Sequence, residues 1–473
     1  MSAASIQFIM KTQSSSPKEP DDTVDWAAEL CQESAIHGMP YVSRRDLHWT
    51  ERLFWVSIVL LSAYYAISSC LSQWNRFRDN PIVFQYEYLF GLRKLPAVGV
   101  TLCTTYEDQE HVNQVINETW GLGPSNEKTA YYEKFLFVLN RLQYNKLDTL
   151  TPYENDSTLD NLNYVGMLMK LQEKVLMKDD ELIVAPVITE VGLCQTTSQL
   201  NRYGNPYGKI ENMTVVNVIE CEFNSNCRLQ GKPFNGLNTT LKLYFHDVNE
   251  FMLPHDLKTL HHNAKTDISF TFEFLVNSIS AENDVRNLPL AYRKCRYKDE
   301  DNLEYYSPYY QSLCRLECRV KWALSLCNCK PFFYVAAVEA PVCNIRGMLC
   351  LHRSNWLEKP CECLPPCIEN TYAIFSVQEQ KAGNFEAAKT FERTLIFKMD
   401  LPKMGMKRRV VFSTDQLIMS FGGAIGLFLG ASFMTIYGLV YLFLCFFVHK
   451  CKQVIQKRFL KKNLSSANIN AFK

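Results

Sequence analysis

Between Gln416 and Val448 the chain carries no Asp, Glu, Lys or Arg. As one helix this stretch would run about 50 Å, against a bilayer core of about 30 Å. Such a segment has to tilt, project beyond a bilayer, or break. Glycines mark where it can break. Gly422, Gly426 and Gly430 recur at every fourth residue, and Gly430-Ala431-Ser432 lies mid-run. Small residues at this spacing let two helix backbones approach closely. Glycine also permits non-helical backbone, which a membrane accepts only where protein or a water-filled cavity satisfies the freed groups. Two readings stand together: a packing face between membrane helices, and a pore-lining segment whose carbonyls coordinate a cation. Subunits meeting around an axis would need both.

A second uncharged run, Leu53 to Trp74, is also long enough to span a bilayer, with Trp55 and Trp74 near its ends. Arginines flank it on both sides (Arg44, Arg45 and Arg52; Arg76 and Arg78), so its own flanks do not orient it. Lys450, Lys452, Lys457, Arg458, Lys461 and Lys462 follow the later run and place the C-terminus in the cytoplasm. Two spans then return the N-terminus to the same side. The first 48 residues are polar, so the first run reads as an uncleaved anchor. The expected organisation is a cytoplasmic N-terminus (1–52), a first transmembrane helix (53–74), an extracellular domain (75–414), a pore segment with the second transmembrane helix (415–448), and a basic tail (449–473). A net charge of +1 argues against a polyanion-binding protein, and no nucleic-acid partner is expected.

Fourteen of the 18 cysteines fall between Cys103 and Cys367; the others are Cys31, Cys70, Cys445 and Cys451. An even set confined to one segment reads as a disulfide framework in an oxidising compartment. Glycosylation sequons at Asn117, Asn155, Asn212 and Asn238 lie in the same segment, while that at Asn463 falls on the cytoplasmic side. Cys314 and Cys318 sit four apart in a plausible helix, about 6 Å apart along its axis. Cys361 and Cys363, if extended, share a face about 6.6 Å apart. The spacings match, so an antiparallel arrangement could be riveted twice, Cys314 to Cys363 and Cys318 to Cys361. Nesting inward adds Cys327–Cys350 and Cys329–Cys343; nesting outward adds Cys295–Cys367. Sequence does not fix connectivity, and this set is a geometric hypothesis; the partners of Cys103, Cys194, Cys221 and Cys227 stay open. A zinc site is the rival, but CxC lacks the usual two-to-four-residue spacer, and no metal is expected.

The intervening segment reads as mixed α and β. Val98, Val100 and Leu102 alternate, as do Ile268, Phe270, Phe272 and Phe274, predicting strands. Tyr131, Phe135, Val138, Leu139 and Leu142 follow helical spacing. Asp22 to Ile36 predicts a short helix, for which local physics makes Gly38 a C-cap. His261-His262 reads as a solvated loop. There is no HExxH, GxSxG or phosphate-cradling loop, so neither an enzyme nor a cofactor is expected.

With these residues in hand, the chain resembles the degenerin/epithelial sodium channel family, most closely its insect pickpocket-type members. LPAVGVTLC (Leu95–Cys103) looks like the family's first ectodomain strand. CRLEC…CNCKPFFY (Cys314–Tyr334) and CECLPPC (Cys361–Cys367) look like its cysteine-rich signature, and the nested pairing is the family's pattern. FGGAIGLFLGAS (Phe421–Ser432) is similar to its pore segment, and His37-Gly38 falls where the family carries its gating dipeptide. The resemblance implies an α+β membrane protein: two transmembrane helices flank a large disulfide-rich ectodomain in a trimer, homomeric or with related subunits. It further implies a sodium-selective, amiloride-sensitive, non-voltage-gated pore opened by an extracellular stimulus. Gly430, Ala431 and Ser432 would form the selectivity filter, Gly426 the blocker position, and His37 and Gly38 a gating element. Three departures stand out. Gly438 replaces a glutamate common in the second span. Met419 occupies a gating position where most members have a small residue. NRFRDNPIVF, after the first span, lacks the histidines of acid-sensing members, so proton gating is not expected. The rivals are an ATP-gated-type trimeric channel, which the cysteine spacing does not suit, and a non-conducting accessory subunit.

Overall fold

The described residues form strands β1 (Ile82–Tyr88), β2 (Leu95–Pro96), β3 (Val98–Thr104), β4 (Ala185–Thr189), β5 (Gly192–Thr196), β6 (Glu220–Cys221), β7 (Cys227–Gly231), β8 (Thr240–Asp247), β9 (Leu260–Lys265), β10 (Ile268–Ala281), β11 (Glu369–Lys381), β12 (Leu395–Asp400) and β13 (Met404–Val410), the longest of them, β10, on alternating aromatic residues. The helices are α1 (Met39–Ser43), α2 (Trp49–Asp79), α3 (Gln109–Trp120), α4 (Thr129–Asn140), α5 (Tyr164–Leu171), α6 (Asn283–Arg286), α7 (Leu290–Arg293), α8 (Gln311–Cys327), α9 (Ile345–Arg353) and α10 (Thr414–Leu429). These come from a computed structural model describing residues between 31 and 455, apart from 33, 35, 45, 80–81, 89–93, 106–107, 173–183, 209–216, 223–226, 232–239, 266–267, 337–338, 382–393, 412, 433, 436, 439, 442, 446, 449–450 and 452–454. The expected helix at Asp22–Ile36 for the most part, the sequons at Asn212, Asn238 and Asn463, and most of the basic tail lie outside the described residues. The chain divides into two units: Ile82–Val410, and the segments on either side of it.

In the larger unit, β4-β5-β3-β8-β9 form one sheet and β1-β13-β10-β12-β7 another, with β11 also paired to β10. The alternating side chains Phe270, Phe272 and Phe274 of β10 meet Phe245 of β8 and Phe397 of β12 in one aromatic core. The Phe245 ring lies 5.0 Å from Phe272 and 4.9 Å from Phe274. Fully burying such a side chain stabilises by about 1.5–3 kcal/mol. Strand β3 serves two cores. Val98, Val100 and Leu102 enter the aromatic one, while Cys103 belongs to a second core built from α3, α4, α5, α8 and α9. Between them the Thr101 hydroxyl lies 2.8 Å from Thr196 Oγ1 and 2.8 Å from His246 Nε2, so this buried hydroxyl is satisfied.

Several expectations change. LPAVGVTLC is not the first strand of this unit, because β1 precedes it and pairs with β13 across the whole unit. The buried face of α4 carries Tyr132 rather than Tyr131, which is exposed. Tyr132 turns inward because its ring stacks on Trp120 at 4.2 Å. His261 and His262 lie in β9 opposite Tyr244 and Leu243, not in a loop, and His262 packs edge-on against Phe270 and Phe272. Cys361–Cys363 is not extended. Cys363 N–H donates to the Cys361 carbonyl at 3.1 Å, a tight three-residue turn.

In the smaller unit, α2 runs from Trp49 to Asp79, past both ends of the 53–74 run, because no helix-breaking residue interrupts its polar flanks. Ala66 is the one α2 side chain buried among the described residues, and Leu53, Phe54, Leu60, Leu61 and Ile67 are exposed. Uncovered apolar surface of this extent suits a helix that spans a bilayer. It is the one described helix long and apolar enough to cross a membrane. Helix α10 packs on α2, with Phe428 stacked on Tyr65 at 6.0 Å.

Candidate functional site

Helix α10 begins with a complete capping box. Gln416 N–H donates to Ser413 Oγ at 3.2 Å, and Ser413 N–H donates to Gln416 Oε1 at 3.3 Å. It ends at Gly430, which adopts φ 65° and ψ 14° and donates its N–H to the Gly426 carbonyl at 2.9 Å. That left-handed conformation is one glycine enters without the strain a side chain would suffer. Ala431 and Ser432 are non-helical, and helical residues resume at Met434 and Thr435. The apolar run is therefore broken where its small residues lie.

The break is contacted from the N-terminal segment of the same unit. His37 N–H donates to the Leu429 carbonyl at 3.0 Å, satisfying one of the carbonyls a helix end leaves free. A Cβ on Gly430 would lie 1.5 Å from His37 Nδ1, so only glycine fits beneath that ring. Gly38 sits at the N-cap position of α1 with φ 89°, leading into that helix. A Cβ there would lie 2.9 Å from Val59 Cγ2 of α2, and Tyr41 of α1 stacks on Trp55 at 4.6 Å. The structure thus brings His37, Gly38 and Gly430 together. Gly426 is one turn back, with Ala431 O 3.7 Å from where its Cβ would lie. Met419, 73% exposed, is about three turns from the break, and a Cβ at Gly438 would meet open space.

In the larger unit the cysteines pair Cys295–Cys367, Cys314–Cys363, Cys318–Cys361, Cys327–Cys350 and Cys329–Cys343, with Cα–Cα separations of 4.9–6.1 Å. Cys103–Cys194 joins β3 to β5, and Cys221–Cys227 joins β6 to β7. Helix α8, which carries three of these cysteines (Cys314, Cys318 and Cys327), is held at other points too. Arg319 pairs with buried Glu190, which also accepts from Tyr334 OH at 2.7 Å. At its first turn, Ser312 N–H donates to Glu250 Oε2 at 3.0 Å. Burial pushes the Glu250 carboxyl up to about 7; the bonds from Ser312 oppose this and nearby Asp247 adds to it. Burial also pulls His246 down to about 4. Of the described sequons, Asn117 is exposed on α3 and Asn155 is exposed just after a 3₁₀ turn, Leu147–Tyr153. Sequence reasoning passed over Glu250, whose burial has no local pattern, and Thr435, whose spacing from Ser432 was a legible signal.

A family model for the amiloride-sensitive sodium channel matches residues 30–442. The chain is 20% identical to the sodium channel protein Nach of Drosophila melanogaster, covering 88% of this chain and 86% of that one. It is 26% identical to pickpocket protein 28 of Drosophila melanogaster over 32% of this chain and 29% of that one. It is 25% identical to acid-sensing ion channel 4 of Rattus norvegicus over 32% of each. A match over most of the chain, on a fold with seven disulfides and an apolar helix broken at glycine, shows that this protein belongs to the amiloride-sensitive sodium channel family, whose members are ion channels and not enzymes.

Proposed function

We propose that this chain is a pore-forming subunit of a sodium-selective, amiloride-blockable channel, assembled as a trimer with copies of itself or related subunits. The observation that carries this reading is the helix break at Gly430, in a run with no other use for non-helical backbone. A plain membrane anchor gains nothing from a break. Residues released from helical hydrogen bonding can exchange carbonyls for the water around a cation. Gly430, Ala431 and Ser432 form the filter, Gly426 the blocker position, and His37 and Gly38 set open probability from the cytoplasmic side. The second span runs on from the break, both termini are cytoplasmic, and Asn117, Asn155, Asn212 and Asn238 are glycosylated outside the cell. An extracellular chemical, mechanical or osmotic stimulus shifts the disulfide-braced domain, and sodium enters down its gradient. No cofactor takes part, and the permeant ion is the substrate.

The test is whole-cell current in oocytes expressing the chain, alone and with related subunits. The reading expects an inward sodium current blocked by amiloride, with block weakened by Gly426→Cys. Surface-expressed protein that passes no sodium current in any combination would leave it an accessory subunit and overturn the proposal.

A further inference from the structure

The backbone after the break is closed by a second reciprocal cap. Ser432 N–H donates to Thr435 Oγ1 at 3.1 Å, and Thr435 N–H donates to Ser432 Oγ at 3.4 Å; the two hydroxyl oxygens lie 3.4 Å apart. This repeats, with a short uncharged partner, the device that opens α10 at Ser413 and Gln416. The two sites differ in their surroundings. Ser413 is half-buried and Gln416 exposed at the end of the apolar run, whereas Thr435 is buried within it. Where water is scarce an unpaired N–H costs several kcal/mol, and a restarted helix leaves its first N–H groups unpaired. Threonine supplies one oxygen and little else.

We propose that Thr435 is the positioning residue of the break: its hydroxyl fixes the backbone of Gly430–Ser432 in one conformation, and ion selectivity there depends on it. The proposal rests on the pore reading above. It also gives the Ser432 hydroxyl a structural task, capping the restarted helix, which leaves backbone carbonyls as the groups that meet the ion.

Two readouts test it on the full chain. The first is the sodium-to-potassium permeability ratio from bi-ionic reversal potentials, which neither surface abundance nor open probability changes. Thr435→Val, which keeps the shape and removes the hydroxyl, should lower the ratio about fivefold, the scale of one lost hydrogen bond. Thr435→Ser should stay within about twofold. The second, which needs no current, is amide exchange of the purified chain in nanodiscs. Thr435→Val should speed exchange across residues 430–435 by about fivefold or more while residues 414–429 stay at the parent rate, and Thr435→Ser should match the parent. Unchanged exchange in Thr435→Val overturns the proposal, as does faster exchange with an unchanged permeability ratio. If Ser432→Ala alters the ratio and Thr435→Val does not, the pore reading stands and this inference falls. If neither alters it, the filter assignment falls as well.

Discussion

The two units of this chain hold their shape by opposite means. Ile82–Val410 is closed by seven disulfides, two apolar cores and buried ion pairs such as Arg319–Glu190. Each disulfide is worth about 2–4 kcal/mol, mostly by constraining the unfolded chain. The described cysteines of the other unit, Cys31, Cys70, Cys445 and Cys451, are all free, and its helix break is held by a few hydrogen bonds. Such bonds are worth about 0.5–1.5 kcal/mol each. A perturbation of a few kcal/mol can therefore rearrange the break and cannot unfold the braced domain. Stiffness and ease of rearrangement fall to different parts of one chain.

The largest effect is expected at Gly430. Gly430→Val puts a branched side chain into the His37 ring and demands φ 65° from a residue that resists it. The expected outcome is loss of current at normal surface expression, read by voltage clamp with surface biotinylation. An unaltered current would mean that the close fit at His37 is dispensable. Next comes the braced domain. Cys318→Ser with Cys361→Ser should lower stability by about 3–4 kcal/mol, given the 43-residue separation of the pair. Thermal unfolding of the full chain in nanodiscs measures this. Amide exchange around Gly430 should not change, and if it does, the two units are not independently held.

A smaller effect is expected at Glu250. Its carboxyl is raised from 4.5 to about 7, so the folded state binds the proton more tightly than the unfolded state does. That contribution is fully present below pH 4.5 and is lost as pH rises toward 7. Glu250→Gln should flatten the fall in melting temperature across this window and leave the part due to Asp247, which burial also raises. A melting curve with the parent's slope would show that Glu250 does not titrate there. The smallest effect is expected at Met419, 73% exposed on α10. The resemblance places Met419 at a gating position where bulk is expected to favour the open state, so on the proposed function Met419→Ala should reduce resting current modestly; no reduction would remove Met419 from the gating account.

How much was legible follows from how local each signal is. The nested cysteine pairs could be written down because an i,i+4 spacing on a helix and an i,i+2 spacing opposite it match in length, even though CEC forms a tight turn rather than a strand. Cys103–Cys194 could not, because it depends on β3 lying beside β5, a matter of sheet order. The pairing of β1 with β13 joins residues over 300 positions apart and leaves no local trace. The face of α4 was missed by one residue because Tyr131 and Tyr132 are alike in character, and the Trp120 ring decides between them. At the break, glycine spacing pointed to Gly430. The resemblance marked His37-Gly38 as a gating element, but its contact with the break is tertiary and left no trace in the sequence.

The central claim is that the break at Gly430–Ser432 is where sodium is selected. Its most direct test is the reversal potential of the amiloride-blocked current in sodium against potassium, for the parent chain and for Ser432→Ala. A shift toward potassium with current retained is the predicted result. A reversal potential that stays at the parent value, in a channel that conducts and is blocked normally, would place selection elsewhere and contradict the account.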